Sequence, residues 1–305
     1  MTIHHDYIGC DISKESLDVH DGSCRRLANE GEAIEAFVAG LDPTDFVVFE
    51  ATGPYDRLLR HALARHGIAF ARLNPMRARR FAEACGRLAK TDRLDARMLR
   101  ELGARLQPPP ETTPGIERER LAAFARRRDQ LVEMRARQRR HLQEAFDAAI
   151  IADIGSLIEH LDGRIAAIEA EIERLIRRDH ELGAEVDRLV SAPGVGRITA
   201  LTLIAHMPEL GRLSPKTAAS LAGLAPFNND SGKKQGRRAI RGGRPRIRRA
   251  LYMGALGAMR ASSRFKLFYR AVAARSGSRK AAIIAVARKL ITVLNAMMRD
   301  KTAFA

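Results

Sequence analysis

The sequence is poor in aromatic residues, contains no tryptophan and has only three cysteines, and each shortage excludes a class of protein. With 46% apolar but 5% aromatic residues, the composition is typical of a helix-rich globular chain. Cys10, Cys24 and Cys85 have unrelated spacings, so they predict core thiols in a reducing cytoplasm rather than a disulfide framework or zinc site. The longest apolar runs, such as 281–287, are too short to cross a bilayer, and no secretory signal or membrane partner is expected.

Positive charge is concentrated in the last third of the chain. Residues 1–107 have no net charge, residues 108–189 carry −3, and residues 190–305 carry +20, from 23 basic and 3 acidic groups. A field of this size predicts a polyanionic partner, nucleic acid first and an anionic membrane surface second. Together with the proline-rich stretch after residue 107, the charge distribution predicts three domains with these same boundaries.

The first domain has the pattern of an α/β fold, because short apolar runs alternate with helical stripes. The expected strands are 7–12, 16–20, 45–50 and 68–73. The expected helices are 32–39, 55–66, 76–85 and 92–106. This alternation predicts a mixed sheet covered by helices.

The second domain has the pattern of a coiled coil. From Ile154 to Leu189 the apolar positions advance by alternating steps of four and three residues, interrupted only at Asp179. We expect an antiparallel helical hairpin in which 117–150 forms the weaker first helix and the junction lies near 151–155. A seam this regular also favours contact with a second copy of the chain, and hence a homo-oligomer.

Four carboxylates in the first domain are candidate metal ligands. Asp11 and Glu50 end predicted strands, where side chains of an α/β sheet reach the ligand crevice, and Asp92 and Asp95 share one face at the start of a helix. Phosphoryl transfer needs clustered oxygen ligands for divalent cations such as Mg²⁺. The alternative roles are a helix cap for Asp92, a surface ion pair for Asp95 and a turn for Asp11. Glu50 has no such alternative, because it ends a run of Phe and Val, where a lone carboxylate is costly.

The third domain begins with a Gly-Val-Gly turn at 194–196 followed by an apolar helix, a pattern similar to a helix-hairpin-helix. In that motif backbone N–H groups at a helix N-terminus bind a phosphate, so Gly194 and Gly196 are candidate nucleic-acid-binding residues. The alternative is a glycine-rich turn between helices without a ligand.

A basic segment follows in which nine of the seventeen residues from Lys233 to Arg249 are Lys or Arg. Its glycines predict a flexible loop rather than a packed helix face, and its cations are expected to follow a phosphate backbone. Ser231 precedes this loop and is either a nucleophile activated by a metal or base, or a turn residue. The candidate nucleic-acid-binding side chains are Lys233, Lys234, Arg237, Arg238, Arg241, Arg244, Arg246, Arg248 and Arg249.

Three N-terminal motifs resemble those of the DEDD transposases of the bacterial insertion-sequence-110 family, relatives of the Piv DNA invertases. They are Y-I-G-C-D at 7–11, F-E-A-T-G-P-Y at 49–55 and K-T-D-R-L-D-A at 90–96. The segments S-A-P-G-V-G at 191–196, L-A-P at 224–226 and S-G-K at 231–233 resemble that family's C-terminal transposase domain. The motifs occur in order over essentially the whole chain.

The resemblance implies a RuvC-like, ribonuclease-H-type first domain in which Asp11, Glu50, Asp92 and Asp95 bind Mg²⁺. It implies that Ser231 attacks a DNA phosphate and that a dimer or tetramer forms composite active sites. It further implies a structured bridge RNA that pairs with donor and target DNA, in a bacterial cytoplasm.

Two other functions are compatible with the same residues. A RuvC-like junction nuclease would use metal-activated water and leave Ser231 idle. A non-catalytic nucleic-acid-binding adaptor would use only the basic domain and the coiled coil.

Overall fold

The computed structural model describes residues 6–51, 53–86, 92–111, 113, 115–227 and 239–304, without the side chains of 92–94. The chain divides into two compact units, Met1–Thr113 and Pro114–Ala305. The predicted boundary at 189–190, inside the second unit, stays a prediction.

The first unit is built on a mixed five-stranded sheet with the order β3-β2-β1-β4-β5. The strands are β1 (Tyr7–Ile12), β2 (Ser16–His20), β3 (Cys24–Ala28), β4 (Phe46–Glu50) and β5 (Ala69–Leu73). β1, β2 and β3 pair antiparallel, whereas β1, β4 and β5 pair parallel, which confirms the expected RuvC-like sheet. β3 was not predicted, because this edge strand is largely exposed and lacks an apolar alternation.

Helices cover both faces of this sheet, and all four predicted helices are confirmed. They are α1 (Gly31–Ala39), α2 (Arg57–Arg65, after a 3-10 turn at Pro54–Asp56), α3 (Pro75–Ala84) and α4 (Asp92–Leu106). One core joins α1 and α2 to alternate residues of β1 and β4, including Cys10 and Phe49. The second core joins α4 to the opposite face, through Val48 and Leu99.

Gly9 sets the distance between α4 and the sheet. A methyl group at this position would lie 1.9 Å from the carbonyl oxygen of Ala96 and 2.6 Å from the amide nitrogen of Arg100. The helix backbone therefore rests directly on β1, and only glycine leaves room for it. The guanidinium of Arg100 adds to this contact by donating a hydrogen bond from Nε to the carbonyl oxygen of Tyr7, at 2.7 Å.

The second unit contains the paired long helices and a helical C-terminal region. Its helices are α5 (Ile116–Glu144), α6 (Ala148–Arg178), α7 (His180–Val190), α8 (Arg197–His206), α9 (Pro215–Leu221), α10 (Pro245–Ala261), α11 (Ser263–Ser276) and α12 (Arg279–Asp300). Two short strands, β6 (Pro226–Phe227) and β7 (Ala239–Ile240), pair antiparallel.

The predicted hairpin forms from α5 and α6, but its junction lies earlier than expected. The first helix ends at Glu144 rather than 150, and the carboxylate of Asp147 caps α6 by accepting hydrogen bonds from the N–H groups of Ala149 and Ile150. The expectation of a junction near 151–155 was wrong because this cap begins a new helix inside the weakly periodic stretch.

The seam does not run through one helix, because Asp179 ends α6 and begins α7. Its backbone is extended, and its carboxylate accepts a hydrogen bond from the N–H of Leu182. The residue that interrupts the apolar pattern is therefore a helix cap. Beyond it the buried side chains of α7 join the C-terminal core rather than the hairpin alone.

The C-terminal core surrounds α12, whose residues Val286, Leu290 and Leu294 are fully buried. By length and composition α12 is apolar enough to cross a membrane, but its packing in this core identifies it as a core helix. The alanine-rich sequence of 281–298 predicts a helix, which the structure confirms and extends slightly at both ends. α11, in which four basic residues are interspersed among apolar ones, was not predicted.

We expect Gly9→Ala to destabilise the first unit by about 2 kcal/mol or more, since the methyl would overlap helix backbone that must shift. Hydrogen exchange of the α4 amides measures the effect, because these amides report the detachment of α4 from the sheet. Gly31→Ala is the matched control: its methyl would meet nothing within 4 Å. Equal protection of α4 in the two variants would contradict the role of Gly9.

Candidate active site and nucleic-acid interface

Asp11 and Glu50 lie side by side on the sheet face that α4 covers. β1 and β4 are parallel neighbours in which Cys10 is paired with Phe49, so the next residues, Asp11 and Glu50, are adjacent. Because side chains alternate along a strand, both carboxylates lie on the opposite face from Cys10 and Phe49, which belong to the α1–α2 core. Both are half-buried.

The first turn of α4 brings Asp95 to the same region. Asp95 precedes Ala96, whose carbonyl oxygen lies against Gly9, and Gly9 is two residues before Asp11 on the same face of β1. Asp92 begins the helix, but its side chain lies outside the described residues. The structure therefore places three of the four predicted acidic residues on one side of the sheet.

The donor set fits a hard divalent cation, because carboxylate oxygens are the ligands that Mg²⁺ and Mn²⁺ prefer. Within the described residues, no group of three or more His, Cys, Asp or Glu side chains is close enough to hold a metal. That statement does not include the fourth carboxylate, Asp92, because its side chain lies outside the described residues. The assignment of the four residues as metal ligands stays a prediction.

A fifth acidic residue near this site, Asp18, was missed by sequence analysis. It is directly opposite Asp11 on β2 and only 6% exposed. Its carboxylate accepts hydrogen bonds from Nε and Nη2 of Arg26 on β3, at 3.1 and 2.7 Å. The period-two spacing of Ser16, Asp18 and His20 was the available signal, since it places three polar residues on one face.

The turn after Glu50 is fixed by a buried carboxylate, Asp56, which is 2% exposed. Asp56 accepts hydrogen bonds from Arg60 at 3.2 Å and from Arg72 of β5 at 3.5 Å. Arg72 also pairs with Glu111. This network ties the segment that follows Glu50 to the neighbouring strand.

Ser231 lies outside the described residues, as do Lys233, Lys234, Arg237 and Arg238. The two ends of their segment are described: β6 and β7 pair Pro226 with Ile240 and Phe227 with Ala239. The described residues on either side of segment 228–238, which contains Ser231, therefore lie beside each other in the second unit.

Two glycines close the base of this loop. Gly223 and Gly243 both have positive φ, of +68° and +67°, and a methyl at Gly243 would lie 2.2 Å from the amide nitrogen of Gly223. The next residue, Arg244, donates its backbone N–H to the carbonyl oxygen of Leu221 at 2.8 Å. The chain thus returns directly onto the end of α9.

The last part of the basic segment is a helix rather than the expected flexible loop. Residues 245–249 form the start of α10, because Pro245 occupies its first turn and Ile247 is fully buried in the core. The alanine-rich, apolar pattern of 249–260 predicts a helix from the sequence; the observed helix begins earlier, and the cations near its start lie on a packed element.

Several of these cations have protein partners. Arg244 binds the carboxylate of Glu209 through both Nη atoms, at 2.8 and 2.7 Å. Arg246 pairs with Asp129 at 2.8 Å, and Arg249 with Glu133 at 3.5 Å, both on α5. Arg248 donates to the carbonyl oxygen of Gly242 at 2.8 Å, whereas Arg241 is exposed. Their roles in nucleic-acid binding stay predictions. A bound phosphate would compete with these contacts for the arginine side chains.

His206, at the end of α8, is surrounded by cations. Burial, together with the smaller effects of the charges of Arg246, Arg126 and Arg244, lowers its pKa from the ordinary 6.5 to about 4. Nη1 of Arg246 lies 3.3 Å from Nε2 of His206. Because a guanidinium only donates, Nε2 accepts this hydrogen bond and the imidazole is neutral.

The Gly-Val-Gly turn is packed differently at its two glycines. A methyl at Gly194 would lie 2.2 Å from the carbonyl oxygen of Gly254 on α10, so this glycine serves the contact between turn and helix. A methyl at Gly196 would meet nothing within 4 Å, and α8 begins at the next residue without a side-chain cap. Of the two candidates, Gly196 has the open surroundings that a phosphate contact needs; its binding role stays a prediction.

Comparison with known proteins covers most of the chain. Residues 8–151 match a transposase family model, the DEDD transposase of IS110 elements. Residues 186–270 match the model described as Transposase IS116/IS110/IS902 family. The two matches occur in the order and at the positions of the two sets of motifs.

Similar proteins occur in Moraxella and Streptomyces, among other bacteria. The chain is 28% identical to the pilin gene-inverting protein of Moraxella lacunata, over 98% of this chain and 97% of that protein. The same values hold for the protein of that name from Moraxella bovis. The insertion element IS110 uncharacterized 43.6 kDa protein of Streptomyces coelicolor is 34% identical over 51% of this chain and 38% of its own length.

We expect Gly243→Ala to open the base of the 228–238 loop, because the methyl would overlap the backbone of Gly223 in addition to the strain of a positive φ. Gly242→Ala is the matched control, since φ there is +68° but nothing lies within 4 Å. Hydrogen exchange of the Arg244 amide should rise strongly in the first variant and only slightly in the second. Equal exchange in both would show that the glycine contact does not hold the loop.

Acid should weaken the second unit through His206. The pKa of His206 in the folded state lies below its ordinary value. The stability that the neutral imidazole contributes is therefore fully present above pH 6.5 and is lost as the pH falls towards 4. We expect about 2 to 3 kcal/mol of lost stability over this range. In His206→Gln, which retains an acceptor for Arg246 but does not titrate, this part of the loss should be absent when urea unfolding is compared at pH 7 and pH 4. An unchanged pH dependence would show that His206 is not responsible.

Proposed function

The chain belongs to the IS116/IS110/IS902 transposase family, and on that basis we propose that it cuts and rejoins DNA strands with Ser231 as nucleophile. The observation that carries the proposal is the placement of Asp11, Glu50 and Asp95 on one face of a RuvC-like sheet. A DEDD transposase domain implies a divalent metal site, and these carboxylates with Asp92 are the residues that would hold the ion. Bound there, Mg²⁺ would neutralise negative charge on the reacting phosphate.

In the proposed step, Oγ of Ser231 forms a bond to the phosphorus of a DNA phosphodiester. The bond from phosphorus to one deoxyribose oxygen breaks, that oxygen takes up a proton, and the serine gives up its own. A hydroxyl of a second strand then attacks the phosphoserine, forms the new phosphodiester and releases the serine. Because each bond broken is replaced by one formed, no net hydrolysis occurs.

The anchored loop supports this role for Ser231. β6, β7 and the Gly223–Gly243 contact hold both ends of the segment, so the nucleophile is tethered to the C-terminal core. The sequence from Ser231 to Arg299 contains no acidic residue, which lowers the repulsion that a DNA phosphate would meet.

We also propose a homo-oligomer that joins copies through the hairpin. The tip of the hairpin exposes apolar side chains: Phe146 is 94% exposed, Ile150 52% and Ile151 40%. Contact with a second copy would remove these side chains from water. A dimer or tetramer would allow the carboxylates of one copy to act with Ser231 of another.

A bridge RNA that pairs with donor and target DNA completes the proposal. It rests on the family and on the cationic C-terminal region, with 23 basic and 3 acidic residues from residue 190 onward. Inversion of a DNA segment is the form of recombination suggested by the pilin gene-inverting relatives, which align over nearly their whole length.

Replacement of Ser231 tests the nucleophile. With supercoiled DNA carrying the element's ends and the RNA transcribed beside the gene, we expect Ser231→Ala to reduce the covalent protein–DNA adduct by at least about a thousandfold. Ser156→Ala, at an exposed position of α6, is the control and should retain wild-type adduct formation. The adduct is measured on denaturing gels, since only a covalent link survives.

Two results would replace the proposal with another function. Continued strand cutting by Ser231→Ala without an adduct would identify a junction nuclease that uses water. Unchanged behaviour of Asp11→Asn and Asp92→Asn in every DNA assay would identify a non-catalytic adaptor.

A further inference from the structure

Some basic residues of the C-terminal region are paired with carboxylates, and others are not. At the start of α10, Arg244, Arg246 and Arg249 each pair with a carboxylate of the same unit. On α11, four cations point away from the core and have no acidic partner among the described residues: Arg264, Lys266, Arg270 and Arg275. All four are exposed.

These four cations share one face of α11 with Leu267, Ala271 and Ala274, and we call these seven residues the α11 face. Phe265 is buried on the other side of the helix, at 2% exposure, and holds α11 to the core. Leu267 is 63% exposed, and both alanines are exposed as well. The face thus has small or apolar residues between flanking cations.

Some cations of this unit are neutralised within the fold. On the hairpin, Arg118 pairs with Glu185, Arg128 with Glu169, and Arg135 with Asp162. Lys266 and Arg270, one turn apart on α11, repel each other instead. A polyanion that binds the face would remove this repulsion.

We propose that the α11 face binds the phosphate backbone of duplex DNA, at a site separate from the Ser231 loop. At 1.5 Å per residue, the fourteen residues of α11 span about 20 Å, long enough for its cations to reach several successive phosphates. The small side chains of Ala271 and Ala274 let the helix approach the duplex closely, and the wide major groove accepts a helix. The inference rests on the proposed function in that DNA is the substrate.

The face suits DNA better than a lipid surface. A membrane-bound helix needs a broad apolar face, whereas Leu267 is the one large apolar side chain among the seven residues. Arg279 and Lys280, exposed just beyond the Gly277 turn, extend the positive charge at the end of the helix.

The test is a fourfold variant with Arg264→Gln, Lys266→Gln, Arg270→Gln and Arg275→Gln, in the full-length chain. The control removes the same charge from exposed arginines of the hairpin, with Arg137→Gln, Arg140→Gln, Arg164→Gln and Arg178→Gln. Affinity for a blunt DNA duplex of arbitrary sequence is measured from about 0.05 to 0.2 M salt. Thermal unfolding verifies that both variants are folded.

For the α11 variant we expect affinity to fall on the order of a hundredfold at about 0.15 M salt, and the salt slope to fall by about 3 to 4. The control should keep a slope near that of the wild type. An equal loss in both variants would overturn the proposal, because net charge rather than the α11 face would then explain binding. The proposal would also be overturned if the α11 variant bound duplex DNA normally but bound single-stranded RNA, or vesicles of anionic lipid, more weakly. The α11 face would then have another partner.

These outcomes are separate from the test of Ser231. If the wild-type protein forms the covalent adduct and the α11 variant binds duplex DNA normally, the inference about α11 is wrong and the proposed recombinase function stands. If the wild-type protein forms no adduct but its binding to duplex DNA depends on α11, the inference stands and the proposed function is wrong.

Discussion

The contact of α4 with Gly9 is the constraint on which the candidate catalytic unit depends. Strand register alone makes Asp11 and Glu50 neighbours, but Asp95 comes near them only because a helix can rest on a strand that has no side chain at that point. Gly103 of α4 also allows the helix to lie close to the sheet, since a methyl there would lie 2.7 Å from side-chain atoms of both Tyr7 and Val48. Carboxylates repel one another, so packing must supply the free energy that keeps them together when no cation is bound.

The extent to which basic side chains are paired with carboxylates differs between parts of the second unit. On the hairpin Arg128 and Arg135 pair with carboxylates, and the start of α10 uses its arginines to hold α5 and Glu209. Past Asp230 the sequence offers no further acid until Asp300, so cations on α11 stay without local partners. A high count of basic residues therefore overstates the surface available to a polyanion, and pairing within the fold identifies which of them are available.

Sequence patterns predicted most elements of the fold, and the misses have local causes. Four strands and four helices of the first unit lie where apolar periodicity placed them, whereas β3 escaped because an edge strand needs no buried alternation. The hairpin junction was misplaced, and the end of the helix at Asp179 was not predicted, because a single capping carboxylate outweighs a periodic signal. The pairing of Arg246 with Asp129 was beyond sequence reasoning, since it joins residues more than a hundred positions apart.

The candidate site divides into a part that local patterns define and a part that they do not. Asp11, Glu50 and Asp95 were identified as candidates from strand ends and helix spacing, and the common face of Asp11 and Glu50 follows from pairing register. Asp18 was not, because its significance lies in facing Asp11 across a strand pair and in its ion pair with Arg26. Ser231 stands apart from both cases. The segment around it carries no apolar pattern, and the structure describes only the residues that flank it, where the backbones of Gly223 and Gly243 meet without side chains. A glycine at a close approach thus seats α4 on the sheet in one unit and joins the residues that flank segment 228–238 in the other.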